Sequence, residues 1–191
     1  AGCTLSTVGS SATMSIAAGQ CSDSTNVAMM VLAAIAKTTS AWSVGTAAGG
    51  LDTGAIANST CYHFYVIIRL DTGVVDVTFS TNATTPTLPA NYTLYRRIGS
   101  GFTDGSAKWT AFIQDSDLFQ WLTAPQNAAA NNPGTSAVPL ALSTPTGINT
   151  IAVMDIVIQN VGAGGNPYFR TSDLATTDTA PSSSNCQIAI G

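Results

Sequence analysis

Two Asp-Thr-Gly triplets, Asp52-Thr53-Gly54 and Asp71-Thr72-Gly73, are the residues of this chain most suggestive of chemistry. Pepsin-like proteases use such triplets because two facing carboxylates can share one proton and activate a water. Leu51 and Ala55 even match the usual flanks. The spacing argues against this use. Two-lobed enzymes carry their triplets far apart in sequence, and viral ones carry one per subunit. Here the pair brackets a single strand-like run, which puts the carboxylates at its opposite ends. Both triplets read as turns.

The other candidates are weaker. His63 is the sole histidine, so any Ser-His-Asp triad must use it. It lies within an apolar run with no nucleophile elbow beside it, so a packed or pore-facing histidine is expected. Asp104, Asp115 and Asp117 could face a Ca²⁺ ion, but they lack EF-hand spacing and read as turn residues. Gly162-Ala163-Gly164-Gly165 lacks the lysine and following helix of a phosphate loop. Trp42, Trp109 and Trp121 could build a sugar platform, though aromatics in an all-β chain more often fill its core. Asn58, Asn82 and Asn91 begin glycosylation sequons, which chance supplies in a Thr-rich chain. No catalytic residue, metal or cofactor is expected.

Four cysteines remain: Cys3, Cys21, Cys61 and Cys186. They lack CxxC spacing and do not form a zinc site with one histidine. Two disulfides, bridges between subunits and free buried thiols are all open. At least one oxidised pair is expected. A hairpin at Gly9-Ser10-Ser11 would return residue 3 close to residue 17, making Cys3–Cys21 the local pair. Cys61 and Cys186 are too far apart in sequence for that argument, and either could bridge subunits.

The element that positions these groups is Thr60 to Ser80. Tyr62, Phe64, Tyr65, Val66, Ile67 and Ile68 form an aromatic, β-branched run with little alternation, as expected of a strand buried on both faces. After Leu70-Asp71-Thr72-Gly73, residues Val75, Val77 and Phe79 alternate with Asp76, Thr78 and Ser80. Two such runs around an Asp/Gly turn predict a β-hairpin at the centre of a sandwich.

Flanking it, residues 3–8 and 12–16 predict a short hairpin. Gln20 to Asn26 reads as a polar loop. Ser24 or Thr25 could cap a helix over Ala28 to Ala36, but its apolar residues show no clean 3.6 period, so it reads as a strand. Gly45 to Gly54 reads as a glycine-rich connection. Tyr92 to Ile98, Lys108 to Gln114 and Leu118 to Leu122 read as strands, with turns at Gly99-Ser100-Gly101, Asp104-Gly105 and Asp115 to Asp117. The expected fold is all-β: an antiparallel, jelly-roll-like β-sandwich over 1–122, a linker over 123–134, and a second small β domain over 135–191. In that second part Ala137 to Leu142, Ile148 to Val161 and Cys186 to Ile190 read as strands.

Composition narrows the function further. Of 191 residues 45% are hydrophobic and only 8% charged, with a net charge of -4. Globular chains average about 25% charged residues. Glutamate is absent, and Thr and Val stand where helix formers would. Six scattered Lys and Arg make no basic patch, so no nucleic acid is expected. No apolar run reaches the ~20 residues of a membrane span. So little charge leaves a monomer poorly solvated, and a homo-oligomer is expected. A start at Ala1 fits loss of an initiator Met, processing or a fragment.

The segment Gly49 to Ser100 closely resembles a domain of tail-fibre and other virion-associated structural proteins of tailed bacteriophages and proteobacterial prophages. The matching motifs are Gly49 to Gly54, Tyr62-His63, Asp71 to Asp76, Pro89 to Tyr92 and Arg96 to Gly99. Asn132 to Val138 and Pro145-Thr146-Gly147 are also similar. A tryptophan is common in that family where Cys61 stands, and its chains usually run further beyond a segment like Cys186 to Ile190, which implies a truncated or shorter form here. The resemblance brings no catalytic residues. It implies a virion component, a fibre, collar or tail appendage, located on an extracellular particle. Such a protein would be trimeric, acting in assembly with other virion proteins and in attachment to a host-surface glycan. The competing class is a carbohydrate-binding β-sandwich module, which would need exposed, coplanar Trp and Tyr rings near Asp and Asn.

Overall fold

The computed structural model describes residues 2–127 and 139–156. The described residues are all-β, with eleven strands and no helix. The chain falls into two units, Ala1–Pro125 with Thr144–Thr150, and Gln126–Ser143 with Ile151–Gly191.

The first unit is built on the expected hairpin. β7 (Cys61–Ile68) and β8 (Val75–Ser80) pair antiparallel, from His63 opposite Ser80 to Ile68 opposite Val75. The turn is closed by Gly73 N–H donating to the Arg69 carbonyl at 2.8 Å, with Gly73 in the left-handed region at φ +71°. All eight residues of β7 are buried, as an unalternating apolar run requires. β9 (Leu94–Phe102) pairs on its other side, so β7 is interior to the sheet.

Around this hairpin lie β1 (Leu5–Ser6), β2 (Thr13–Ile16), β5 (Ile35–Ala41) and β6 (Ala48–Leu51), giving a seven-stranded sheet of order β1-β2-β5-β6-β8-β7-β9. Two small hairpins complete the unit: β3 (Gly19–Ser22) with β4 (Met29–Leu32), and β10 (Phe112–Asp115) with β11 (Leu118–Trp121). Tyr62, Phe64, Val66 and Ile68 join Val77, Phe79 and Trp109 in the main core. Tyr65 and Ile67, on the opposite face of β7, pack with Tyr92 in a smaller cluster.

Several expectations need correction. The large sheet is mixed rather than antiparallel, because β6 pairs parallel to both β5 and β8. β6 forms within the glycine-rich stretch that reads as a connection. A Cβ on Gly49 would stand 1.8 Å from the Ala41 carbonyl oxygen, and one on Gly50 would stand 2.7 Å from the Phe79 ring. Glycines let β6 pass where neighbours already fill the space. Gly99-Ser100-Gly101 is likewise no turn but the interior of β9. A Cβ on Gly99 would meet Leu5 and Gln114 at 2.8 Å, and one on Gly101 would meet Met14 at 3.1 Å. The loop expected at Gln20 to Asn26 begins as β3, and only its later part is a turn.

Residues 139–156 contain no strand, including the described parts of the runs expected at Ala137 to Leu142 and Ile148 to Val161. The remainder of those runs, Gly162 to Gly165 and Cys186 to Ile190 lie outside the described residues.

Candidate functional site

The strand β7 brings three chemically capable side chains together. Cys61 and His63, two residues apart on one strand, share a face, and the β7–β9 register sets Ser100 opposite His63. The Ser100 hydroxyl lies 2.9 Å from His63 Nδ1, and Cys61 Sγ lies 4.0 Å from Nε2. A thiol, an imidazole and a hydroxyl in that order have the connectivity of a nucleophile, its base and an orienting group. Thr146 covers them, hydrogen-bonding the Cys61 thiol through its backbone and side chain and His63 through its backbone.

The electrostatics run opposite to activation. Burial pushes the Cys61 thiol up, against the hydrogen bonds from Thr146 and the Arg97 charge. Burial also holds the His63 imidazole below its ordinary value, and the Arg97 guanidinium pushes the same way. A reactive cysteine is an exposed thiolate beside a cation. This pair is a neutral thiol beside a neutral imidazole, with Cys61 7% and His63 0% exposed. The arrangement seats Thr146, and with it the segment 144–150, on the first unit.

The Asp-Thr-Gly carboxylates are not brought together. Asp52 follows β6, where its N–H donates to the Phe79 carbonyl near the end of β8. Its carboxylate accepts from the backbone N–H of Thr53 at 2.7 Å and of Thr87 at 3.0 Å. Asp71 lies in the turn before the start of β8 and accepts two hydrogen bonds from Arg69, at 2.7 and 3.1 Å. Asp104 accepts from the N–H groups of Ser106 and Lys108 and so holds its own turn. Asp115 and Asp117 flank the β10–β11 turn. Among the described residues no three His, Cys, Asp or Glu groups converge as metal ligands.

The tryptophans do not make a flat platform. Trp109 is wholly buried, amid Tyr62, Phe64 and Phe79. Trp121 packs on Phe102 and Phe119. Trp42 meets Tyr92 edge-to-face at 75°, and with Arg69, Val44, Val74 and Ala90 the two line a pocket of about 230 Å³. Ligand pockets usually run to about 300–1,000 Å³.

Comparison with protein-family models, curated proteins and solved structures finds no match. The chemistry of the site rests on its own residues.

Of the expected disulfide cysteines, Cys3 and Cys21 come together. Their thiols hydrogen-bond one another, and both are reduced in this structure, as is Cys61. Cys186 lies outside the described residues.

One feature was not legible in the sequence at all. Lys37 and Asp76, 0% and 1% exposed, form an ion pair at 2.8 Å. Lys37 Nζ also donates to the carbonyls of Ser43 and Gly45, and the Gly45 N–H donates back to Asp76. The ammonium lies 5.3 Å from the Trp42 ring centre. The available signal was a single lysine in an otherwise uncharged strand, facing no residue that sequence spacing could identify as its partner.

Proposed function

We propose that this chain is a structural component of a tailed-phage virion, a fibre, collar or tail appendage, that works by associating with copies of itself. The observation that carries the self-association is a set of bare apolar side chains. Residues 151–156 form no strand and pair with none among the described residues, and Ile151 and Val153 are 98% and 94% exposed. On β4, Met29 and Val31 are 62% and 66% exposed while Met30 and Leu32 are buried. Among the described residues β4 pairs with β3 alone, which leaves its other edge without a described partner. Apolar rows beside open edges mark surfaces that another chain covers. The place on a virion rests on the resemblance of Gly49 to Ser100. The buried thiol and imidazole offer no activated nucleophile, which favours assembly over hydrolysis as the working role.

Purified particles of the phage or prophage that encodes the chain test this reading. The chain is expected in their peptide mass spectra, at a copy number that is a multiple of three, and at a defined appendage by electron microscopy. Intact particles lacking the chain would refute it.

A further inference from the structure

The amino terminus carries an arrangement that regular strand pairing does not explain. Gly2 pairs with Gly19 in an isolated antiparallel bridge, and Cys3 N–H donates to the Ala18 carbonyl at 3.5 Å. That register sets Cys3 beside Ala18, three positions from Cys21. In a regular ladder side chains three positions apart face opposite ways. The Cys3 and Cys21 thiols nevertheless hydrogen-bond each other.

Two left-handed residues in succession supply the departure, with φ of +89° at Gly2 and +59° at Cys3. Only glycine fits at the first, since a Cβ there would lie 2.5 Å from the Ala18 carbonyl oxygen. Cysteine at the second is strained, and strain of this kind persists only where its surroundings hold it in place. Its result is a thiol turned inwards, 2% exposed and part of the main core, against a partner on β3.

We propose that Cys3 and Cys21 form a disulfide clasp that fastens the amino-terminal segment to β3, made by exchange with a small-molecule disulfide while the chain folds. One cysteine thiolate attacks the small disulfide, releasing one small thiol and leaving a mixed disulfide. The other cysteine thiolate attacks that bond and releases the second small thiol. The two protein thiols give up two protons and two electrons, and the small disulfide becomes two thiols. The order of events follows from the surroundings. Burial raises both thiols, Cys21 to about 11, so the folded pair offers little thiolate at neutral pH. In the open chain both have ordinary acidity and are reachable.

The test uses the full chain, reduced and unfolded, then refolded in mixed reduced and oxidised glutathione. Samples are quenched in acid, alkylated in denaturant and weighed intact. The expected product has two of its four cysteines unalkylated, and peptide mapping joins residue 3 to residue 21. The same buffer applied to the already folded, reduced chain should form the bridge at least about ten times more slowly. The bridge should lower the unfolding equilibrium constant by about two orders of magnitude, a gain that reductant abolishes and that Cys21→Ser lacks. Complete alkylation of the refolded chain, or a bridge mapped to Cys61 or Cys186, would overturn the clasp. Equal rates from the folded and unfolded states would overturn its timing. The mapping uses the unmutated chain, so it decides the pairing even where the variant fails to fold.

Discussion

At the scale of single residues, the buried charges decide most. Asp76 holds the Lys37 ammonium at 2.8 Å and accepts the Gly45 N–H as well. Burial alone would drive the Lys37 amine towards its neutral form, and Asp76 opposes that. Removing one partner of a buried pair strands the other, at a cost of about 3–5 kcal/mol. Asp76→Asn should therefore lower the urea midpoint by that equivalent, and an unchanged midpoint would contradict it. His63 sets a pH dependence. Its folded value lies below the ordinary 6.5, owing to burial and to Arg97. The unfolded chain therefore binds a proton that the folded chain refuses, so stability is full above pH 6.5 and falls as pH drops below it. Denaturation midpoints should decline from pH 6.5 towards 5, and His63→Asn should flatten that decline. Asp23 adds a lower window. Hydrogen bonds from Thr25, then from the backbone of Ala28 and Val27, hold its carboxyl at about 2, so its contribution is lost only as pH falls below 3.8.

At the scale of elements, legibility followed side-chain pattern and failed where side chains are missing. The β7–β8 hairpin was readable because Val75, Val77 and Phe79 alternate beside an unalternating apolar run. β6 and the middle of β9 were not. A glycine says that a Cβ is unwelcome, without saying whether a turn or a neighbour excludes it. At Gly73 the reason is a left-handed turn, while at Gly49 and Gly99 it is the Ala41 carbonyl and the Leu5 and Gln114 side chains. Parallel pairing was hidden for a related cause, since its partners are set by chain path and not by a local turn. The candidate site was half legible. His63 was readable as packed or pore-facing, and it is packed, but Ser100 stood in a supposed turn, and Thr146 lay in a segment assigned to another domain. Gly49→Ala tests the close approach of β6 to β5. It should cost about 3 kcal/mol or more. Gly105→Ala, where nothing lies within 4 Å of the added carbon, should be nearly neutral. Equal thermal midpoints for the two variants would show that β6 does not run this close to β5.

At the scale of the whole molecule, the question is what covers the apolar surface. With 8% charged residues the chain has few groups to keep water on its outside. Some of the exposed apolar residues lie together: Met29 and Val31 share one face of β4, and Ile151, Val153, Met154 and Ile156 fall within six residues. In a monomer these rows would be aggregation sites, because the sheet edges beside β4 and β11 carry no lysine, arginine or proline within the strands. Closed rotational symmetry buries such rows without leaving an open end for a filament to grow from. Native mass spectrometry of the purified chain should therefore show a homo-oligomer at micromolar concentration. Three copies are expected from the fibre resemblance, while the surface argument asks only for more than one. Placing a charge in one row should shift the equilibrium towards single chains. Val153→Asp, at a position 94% exposed, has no core to disturb, so dissociation without loss of the Tyr and Trp near-ultraviolet signal would locate the interface at that segment. A wild-type chain that stays monomeric and soluble at those concentrations would mean that Ser, Thr and Asn solvate this surface unaided.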